Sequence, residues 1–335
     1  MEILKILKKQ VELHPDKTAI IFKEEKITWR ELEENYLKLA NSLKACGVEK
    51  ADRVALYLPN CPEYIYSYLA IWALGAVAVP LDFMLTTEEL KSCLMHSEAR
   101  TLIFKPKPSL DIVSLKKELP LLNTLITCQD KLEGLLLFSD CLNENDAKPI
   151  DVKFDESDYA IIFYTSGTTG KPKGVLINYR QLLAPPKSME FFVKSDLKDN
   201  DTALCALPFS HLGGLIYIQN TVCFSLRLIL MERFIPLEFL KNVAKYQVNF
   251  FWIVPSMYYA LLQLKEFETF DLSSLRWIVT FGASNSPDAL RRFHQFCPKA
   301  HLLNGWGMTE TNAPSVVVPF GSKKIESVGR PAPWI

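Results

Sequence analysis

Residues 164–175 form a short segment whose side chains suit a bound anion. The segment holds three glycines, four serine or threonine hydroxyls and two lysines, and an apolar run, residues 159–163, precedes it. Glycines let backbone N–H groups come close to an anion, hydroxyls add hydrogen-bond donors, and lysines add positive charge. The residue types and their spacing therefore predict a loop that binds a polyphosphate.

The spacing of the same residues excludes a Walker A loop. That loop has four residues between its first glycine and a Gly-Lys-Ser/Thr sequence, whereas Gly167 and Gly170 are separated by two residues. Lys171 is followed by Pro172, and a proline removes a donor and fixes φ where the P-loop helix would begin. The alternative to a phosphate site is a flexible surface loop rich in glycine and threonine.

Segments far apart in the chain resemble the AMP-forming adenylating enzymes, which include acyl-CoA synthetases, luciferases and the adenylation domains of peptide synthetases. The phosphate loop matches the family's signature nearly residue for residue. Residues 53–82 are similar to an early segment of the family, and residues 207–215 to a stretch that many acyl-CoA synthetases place beside the acyl pocket. Residues 304–311 are similar to the family's sequence of an aromatic residue, Gly, any residue, Thr and Glu. The resemblance covers the entire chain.

The resemblance implies site residues in three groups. The phosphate loop would use Thr165, Ser166, Gly167, Thr168, Thr169, Gly170, Lys171 and Lys173. Adenine and the adenylate would be bound by Gly282, Ala283, Ser284, Asn304, Gly305, Trp306 and Gly307. The implied catalytic residues are His211, Thr309 and Glu310, with Thr309 donating to the α-phosphate and Glu310 as the ligand of Mg²⁺.

Two of these positions have a structural alternative or a departure from the family. Trp306 stands where the family usually has tyrosine; its ring could stack on adenine, or it could pack in the core. Residues 285–287, Asn-Ser-Pro, replace the commoner apolar continuation of 282–284, which leaves the shape of the pocket open.

The reaction that the resemblance implies needs little covalent help from the protein. A carboxylate attacks the α-phosphorus of ATP, pyrophosphate leaves, and the acyl-adenylate then passes its acyl group to a thiol such as coenzyme A. Holding two anions in line and neutralising charge are the main tasks.

His211 lies in the stretch implied to flank the acyl pocket. Peptide-synthetase adenylation domains usually place an aspartate nearby to pair with the amino group of their substrate, and no acid lies between Leu207 and Ser225. The sequence therefore favours a plain carboxylic acid over an α-amino acid. Without its context, His211 would be an ordinary partly buried histidine.

Alternating helices and short apolar strands must position these residues. Strands are predicted at 18–22, 26–28, 53–58, 101–104, 122–127, 202–207, 226–231, 250–254, 277–280, 302–303 and 314–320. Helices are predicted at 29–45, from about 62, at 86–95 with Thr86 or Thr87 as N-cap, and at 237–246, 255–264 and 287–296. The pattern predicts an α/β fold of two packed subdomains with mainly parallel sheets, residues 1–157 and 158–335, and a linker or loop at 128–157.

Composition narrows the class of protein. The chain has 335 residues, with 38 lysines and arginines against 38 aspartates and glutamates, so no net field favours nucleic acid or an anionic membrane. Eight scattered cysteines without metal spacing are typical of reduced, mostly buried thiols, and the N-terminus lacks a secretory signal; both indicate the cytoplasm. The uncharged residues 64–81 include Gly75 and Pro80, which favours a helix, a turn and a strand over a membrane span.

Two departures from the family qualify the function. The chain stops at Ile335, before the family's ribose-binding aspartate, hinge, catalytic lysine and C-terminal lid domain, and it has Tyr179 where a histidine often follows the phosphate loop. A fragment, a split gene product whose partner chain carries the remainder, and a degenerate copy are all compatible with this ending. The alternatives to an acid–thiol ligase are a non-catalytic nucleotide- or acyl-binding fragment and a peptide-synthetase module.

Overall fold

The computed structural model describes residues 1–153, 155–165, 173–193, 196–322, 324 and 327–332, and all of their side chains except those of Val113 and Ala313. In this part of the chain the strands are β1 (Thr18–Phe22), β2 (Glu25–Thr28), β3 (Arg53–Tyr57), β4 (Val77–Pro80), β5 (Thr101–Phe104), β6 (Thr124–Thr127), β7 (Leu136–Leu137), β8 (Tyr159–Thr165), β9 (Lys173–Asn178), β10 (Thr202–Cys205), β11 (Arg227–Leu230), β12 (Phe250–Ile253), β13 (Trp277–Thr280), β14 (His301–Met308), β15 (Ala313–Val317) and β16 (Arg330–Pro331).

The helices of the same part of the chain are α1 (Glu2–Leu13), α2 (Trp29–Ala45), α3 (Pro62–Ala73), α4 (Thr87–Ser97), α5 (Ile112–Glu118), α6 (Phe138–Asn143), α7 (Ala184–Val193), α8 (Leu212–Phe224), α9 (Pro236–Tyr246), α10 (Pro255–Leu262) and α11 (Pro287–Gln295). Short 3₁₀ turns lie at Arg180–Leu183, Phe267–Thr269 and Thr309–Thr311. Helices α2 and α4 begin with capping boxes, in which Thr28 pairs with Glu31 and Thr86 with Glu89.

The chain divides into two compact units whose segments alternate along the sequence. Unit 1 comprises Met1–Lys17, Thr28–Leu182 and Pro208–His211, and unit 2 comprises Thr18–Ile27, Leu183–Leu207 and Leu212–Ile335. The division between residues 157 and 158 stays a prediction about domains, because a compact unit need not coincide with an independently folding domain.

Unit 1 contains a sheet in the order β7-β6-β5-β3-β4-β8-β9. The pairs from β7 to β8 are parallel, and β9 runs antiparallel to β8. Helix α3 is buried on all sides, with Tyr64, Tyr68 and Trp72 among its fully buried aromatic residues. A sheet that is covered on its faces in this way reads in sequence as short uninterrupted apolar strands.

Unit 2 contains a sheet in the order β16-β15-β14-β13-β12-β10-β11-β1-β2. The pairs from β14 to β1 are parallel, and β15 and β16 continue the sheet as antiparallel strands. The turn between β1 and β2 has positive φ at Lys23 and Glu24, as two-residue hairpins of type I′ require. The predicted α/β class with mainly parallel sheets is confirmed.

Most predicted elements are present within a few residues, and three predictions need correction. Residues 128–157 are not simply a loop, because they contain β7 and α6. The strand predicted at 302–303 extends from His301 to Met308, since β15 pairs with its far end. Helices α1, α5, α7 and α8 were not predicted at all; α8 is so fully buried that it shows no polar face to mark its periodicity.

Residues 64–81 form most of α3, a turn at Gly75 with φ of 67° and strand β4, as predicted. In the described part of the chain no helix combines the length and the apolar character that crossing a membrane requires. All eight cysteines are free; Cys93, Cys141, Cys205 and Cys297 are buried, and the other four are partly exposed.

Candidate functional site

The predicted phosphate loop connects two antiparallel strands at one end of the unit 1 sheet. Thr165 ends β8, Lys173 begins β9, and the two residues are partners in the strand pairing. The residues between them, 166–172, lie outside the described residues, and with them Ser166, Gly167, Thr168, Thr169, Gly170 and Lys171. Because β8 is parallel to β4, Thr165 lies at the edge of the sheet where the parallel strands have their carboxyl ends, the usual place for ligands in α/β folds.

Hydrogen bonds hold both ends of this hairpin. The Tyr164 hydroxyl lies 2.7 Å from Nδ1 of His96 and donates to the Cys93 carbonyl at 3.1 Å, which ties β8 to α4. Burial is the main cause of a raised pKa of Tyr164, so its hydroxyl stays protonated and can donate. Beyond β9, the buried Tyr179 donates to the Ala76 carbonyl at 2.7 Å. Tyr179, at the position where the family often has histidine, therefore joins the hairpin to the start of β4.

His211 lies beside a carboxylate that sequence reasoning did not identify. Its Nε2 is 3.0 Å from Oδ2 of Asp82, which follows the carboxyl end of β4. The other carboxylate oxygen of Asp82, Oδ1, accepts a hydrogen bond from the Met84 backbone N–H at 2.8 Å. The hydrogen bond with His211 is the largest effect that lowers the pKa of Asp82 below its ordinary value of 3.8, and burial opposes it. The only sequence signal for Asp82 is an acid just after the Val-Ala-Val-Pro strand.

The backbone that carries His211 is fixed by buried side chains of unit 1. Phe209 N–H donates to Oδ1 of Asn60 at 2.8 Å, and the Tyr68 hydroxyl donates to the Phe209 carbonyl at 2.8 Å. The ring of Tyr68 stacks on Tyr64, and Tyr64 meets the Phe209 ring edge-on. These contacts explain why Pro208–His211 belongs to unit 1 although the flanking residues belong to unit 2.

In unit 2, pairing between β13 and β14 brings two predicted groups to one edge of the sheet. Thr280 is the partner of Asn304, so residues 282–284 follow β13 at the level where β14 passes through residues 304–308. Gly282, Ala283 and Ser284 are exposed. Gly282 has φ of 92° and a Cβ there would lie 3.1 Å from the Val254 side chain, so the turn requires glycine.

Asn304 differs from its predicted neighbours because its side chain is buried. Its Oδ1 accepts from Nδ2 of Asn285 at 2.7 Å, and its Nδ2 donates to the Ser327 carbonyl at 3.0 Å. A direct contact of this amide with adenine stays a prediction. These hydrogen bonds give Asn304 a structural role, because they link β14 to the turn after β13.

Trp306 is exposed over 49% of its surface, which rules out the alternative that it packs in the core. The pairing of β14 with β15 shifts register between Trp306 and Gly307, a bulge of the kind that redirects side chains at functional edges. Gly305 lies so close to β15 that a Cβ would be 3.0 Å from the Val316 carbonyl oxygen. Trp306 thus presents an aromatic face on a closely paired strand, while Thr309 and Glu310 follow in a 3₁₀ turn.

Glu310 can be tested as a magnesium ligand on its exposure and chemistry. The residue is exposed, and the turn that carries it is held by the Thr311 hydroxyl, which donates to the Met308 carbonyl at 2.9 Å. Mg²⁺ in nucleotide sites is held by one or two carboxylates together with phosphate oxygens and water. A single accessible carboxylate fits that arrangement. The described residues contain no cluster of three or more His, Cys, Asp or Glu that could hold a metal.

Known proteins are similar to this chain in sequence and in fold. The model of the AMP-binding enzyme family matches residues 7–335. A long-chain-fatty-acid–CoA ligase from Bacillus subtilis is 31% identical over 348 residues, which cover 95% of this chain and 62% of that protein. The chain thus spans less than two thirds of the length of this relative.

Solved structures of acyl-CoA-forming ligases are similar to this chain in fold. An anthranilate CoA ligase bound to anthranoyl-AMP superposes with a TM-score of 0.92 at 23% identity, over 99% of this chain and 64% of that chain, which shows the shared fold. An o-succinylbenzoate coenzyme A synthetase from Bacillus subtilis, bound to ATP and magnesium, has a TM-score of 0.81 at 26% identity, over 97% of this chain and 64% of that chain. The chain belongs to the AMP-binding enzyme family.

Proposed function

We propose that this protein takes part in the ATP-dependent activation of a carboxylic acid to an acyl-adenylate, followed by transfer of the acyl group to a thiol, with coenzyme A as the expected acceptor. The observation that carries the proposal is the edge of the unit 2 sheet. There the exposed turn at 282–284 follows β13 just after Thr280, and the exposed Trp306 and Glu310 follow Asn304, the partner of Thr280 in β14. An aromatic face, open backbone groups and a carboxylate are what an adenylate and its metal require.

The phosphate loop and three residues of the second unit have separate roles in this proposal. The loop from Thr165 to Lys173 would hold the β- and γ-phosphates through backbone N–H groups, hydroxyls and lysines. Trp306 would stack on adenine, and Thr309 would donate to the α-phosphate. Mg²⁺ bound with ATP would neutralise phosphate charge, and Glu310 would be its protein ligand. The attack needs no covalent bond to the protein, because the work is alignment and charge stabilisation.

A plain carboxylic acid is the proposed substrate. His211 would face its carboxylate, and both oxygens of the nearby Asp82 are already engaged, one by His211 and one by the Met84 N–H. In the sequence, no acid that could pair with the amino group of an amino acid lies between Leu207 and Ser225. The ligase from Bacillus subtilis is named for long-chain fatty acids and the synthetase for o-succinylbenzoate, so both aliphatic and aromatic acids belong in the test.

Further parts of the proposal concern setting and partners. We place the protein in the cytoplasm because all eight of its cysteines are free. The partner that we propose is conditional on the 335-residue chain acting without further segments of its own. In that case a separate chain would supply the remaining parts of the family's architecture.

The test uses a stable analogue of the product. An acyl-sulfamoyl-adenosine made from palmitate or from 2-succinylbenzoate should bind far more tightly than Mg-ATP in calorimetry, because it unites the two substrates. Pyrophosphate release from ATP, measured with the same acids, then separates an enzyme from a binding protein. Tight analogue binding without release would support the non-catalytic alternative. A chain that binds neither the analogue nor Mg-ATP would contradict the proposal.

A further inference from the structure

The pair formed by His211 and Asp82 is only partly buried. The side chain of His211 is 53% exposed and that of Asp82 is 34% exposed. Ion pairs with such exposure contribute little to stability when both side chains are free to move. Here the backbone on both sides of the pair is held in place, so the contact defines an orientation.

Asp82 belongs to a loop, residues 82–85, whose backbone is held by two side chains at the carboxyl edge of the sheet. One side chain ends β3 and the other follows β5. Lys107 Nζ donates to the carbonyls of Phe83 at 2.9 Å and Leu85 at 3.0 Å. The Tyr57 hydroxyl donates to the same Leu85 carbonyl at 2.8 Å, and the Lys107 ammonium lies over the Tyr57 ring, 4.8 Å from its centre. The Met84 N–H, which donates to Oδ1, then fixes the carboxylate on this loop.

His211 is equally constrained by its own turn. Its N–H donates to the Pro208 carbonyl at 3.1 Å, and Phe209 within the turn is bonded on both sides, by Asn60 and by Tyr68. The imidazole therefore extends from a fixed turn toward a fixed carboxylate. Both residues that form this hydrogen bond are therefore constrained by their backbone contacts.

We infer that Asp82 is a positioning residue that sets the tautomer and the direction of the His211 ring. A carboxylate can only accept, so Nε2 must carry the proton that it shares with Asp82. Nδ1 is then the ring nitrogen that can meet another group. In the protonated ring, Nδ1–H donates to an oxygen of a bound carboxylate while Asp82 balances the charge of the imidazolium.

This inference rests on the proposed function, because it assigns His211 to the carboxylate of the acid. Asp82 itself does not touch that acid; it acts through the histidine. The same logic is known for metal-binding histidines, whose orientation depends on a carboxylate at the far nitrogen. For those histidines, loss of the carboxylate typically reduces metal affinity or activity by about 10- to 100-fold.

The first measurement follows the ring itself. The chain has five histidines, so ¹⁵N spectra of the imidazoles are simple, and His211→Ala identifies the signals of His211. In the wild-type chain the neutral ring should carry its proton on Nε2 alone. Asp82→Ala should give a mixture of both tautomers, whereas Asp16→Ala, which removes an exposed carboxylate paired with Arg30, should leave the signals of His211 unchanged.

The second measurement is the affinity for palmitate and 2-succinylbenzoate in the presence of a non-hydrolysable Mg-ATP analogue. Asp82→Ala should weaken acid binding by about tenfold with little effect on the nucleotide, and His211→Ala should weaken it similarly. The double variant should be no weaker than His211→Ala alone, because Asp82 acts through that ring. Thermal unfolding of each variant reports whether the fold is retained.

The two measurements separate the inference from the proposed function. An unchanged His211 tautomer in Asp82→Ala would overturn the positioning role, whatever the acid affinities. Additive losses in the double variant would also overturn it. If the wild-type chain binds neither acid, the proposed function fails, and the tautomer spectra still decide whether Asp82 orients His211.

Discussion

Asn285 donates a hydrogen bond from Nδ2 to Oδ1 of Asn304 at 2.7 Å. The Tyr258 hydroxyl in turn donates to Oδ1 of Asn285 at 3.1 Å. The residue that departs from the family's apolar pattern is therefore part of a polar chain from α10, through the turn after β13, to the buried amide of Asn304 in β14. The departure in sequence is explained by a hydrogen bond in unit 2.

Replacing Asn285 should weaken this connection. Asn285→Leu removes the donor that lies 2.7 Å from Oδ1, the side-chain oxygen of the buried Asn304. The change should lower the free energy of unfolding by about 1–3 kcal/mol. Urea unfolding followed by tryptophan fluorescence measures the loss, and Asn143→Ala, a change at an exposed position in α6, is the control. A loss no larger than that of the control would show that the polar chain contributes nothing to stability.

Binding of Mg-ATP should depend on the hairpin loop between β8 and β9. The double variant Thr168→Ala, Lys173→Ala removes a hydroxyl and a positive charge from the predicted phosphate site. Hydrogen bonds to charged groups contribute about 1.5–3 kcal/mol, so calorimetry should show an affinity at least about tenfold lower. Lys9→Ala, in the exposed face of α1, controls for the loss of general positive charge. Equal affinities of wild type and double variant would refute the phosphate assignment.

Glu310 should act through the metal and not through packing. Glu310→Gln keeps the size of an exposed side chain but removes the charge that a hard cation prefers, so the fold should persist while magnesium no longer strengthens ATP binding to the same degree. Titrations of ATP with and without Mg²⁺ measure this difference, and Glu133→Gln is the matched control at another exposed position. If magnesium strengthens binding equally in wild type and Glu310→Gln, another group holds the metal.

The stability contributed by Asp82 should vanish in acid. Its pKa is lowered from 3.8 in the folded protein, chiefly by the hydrogen bond from His211. A carboxyl with a depressed folded pKa stabilises the fold above its unfolded pKa and loses that contribution as the pH falls through the folded value. Asp82→Asn should therefore lower the melting temperature at pH 7, and the difference from wild type should shrink progressively below about pH 4.

Asp16→Asn provides the control for this experiment, since Asp16 forms an exposed ion pair with Arg30 that should contribute little to stability. A melting-temperature difference for Asp82→Asn that stays constant from pH 7 down to the acid unfolding transition would contradict the role of the carboxylate charge.

Local patterns were sufficient for much of the fold. The periodicity of residues 29–45 predicted α2 with its observed bounds, and short apolar runs predicted β5 and β13 with theirs. These elements carry their own signals, namely a cap, a repeated apolar face, or a buried run between polar turns. Helix α7 lacked such a signal because Pro185 and Pro186 stand at its start, and prolines also mark loops.

The candidate site was harder to predict, for a different reason. The segments around Trp306 and the phosphate loop could be predicted from their own residue types, but Asp82 lies 129 residues before its partner His211. Only the return of Pro208–His211 to unit 1 brings the two together. No pattern along the chain encodes that contact, and the same holds for Asn285, whose role depends on the register of β13 and β14.

The place of β1 in the unit 2 sheet has a consequence for biosynthesis. Ile20 of β1 pairs with Leu228 of β11, so the partner strand leaves the ribosome about 200 residues later. At roughly 5–20 residues per second, this strand waits about 10–40 s while the chain grows. During that time β1 has β2 beside it, but its other edge, which β11 later covers, stays open next to Ala19, Ile20 and Ile21, residues that are buried in the finished protein. The nascent chain should therefore bind chaperones through its first 30 or so residues until β11 emerges.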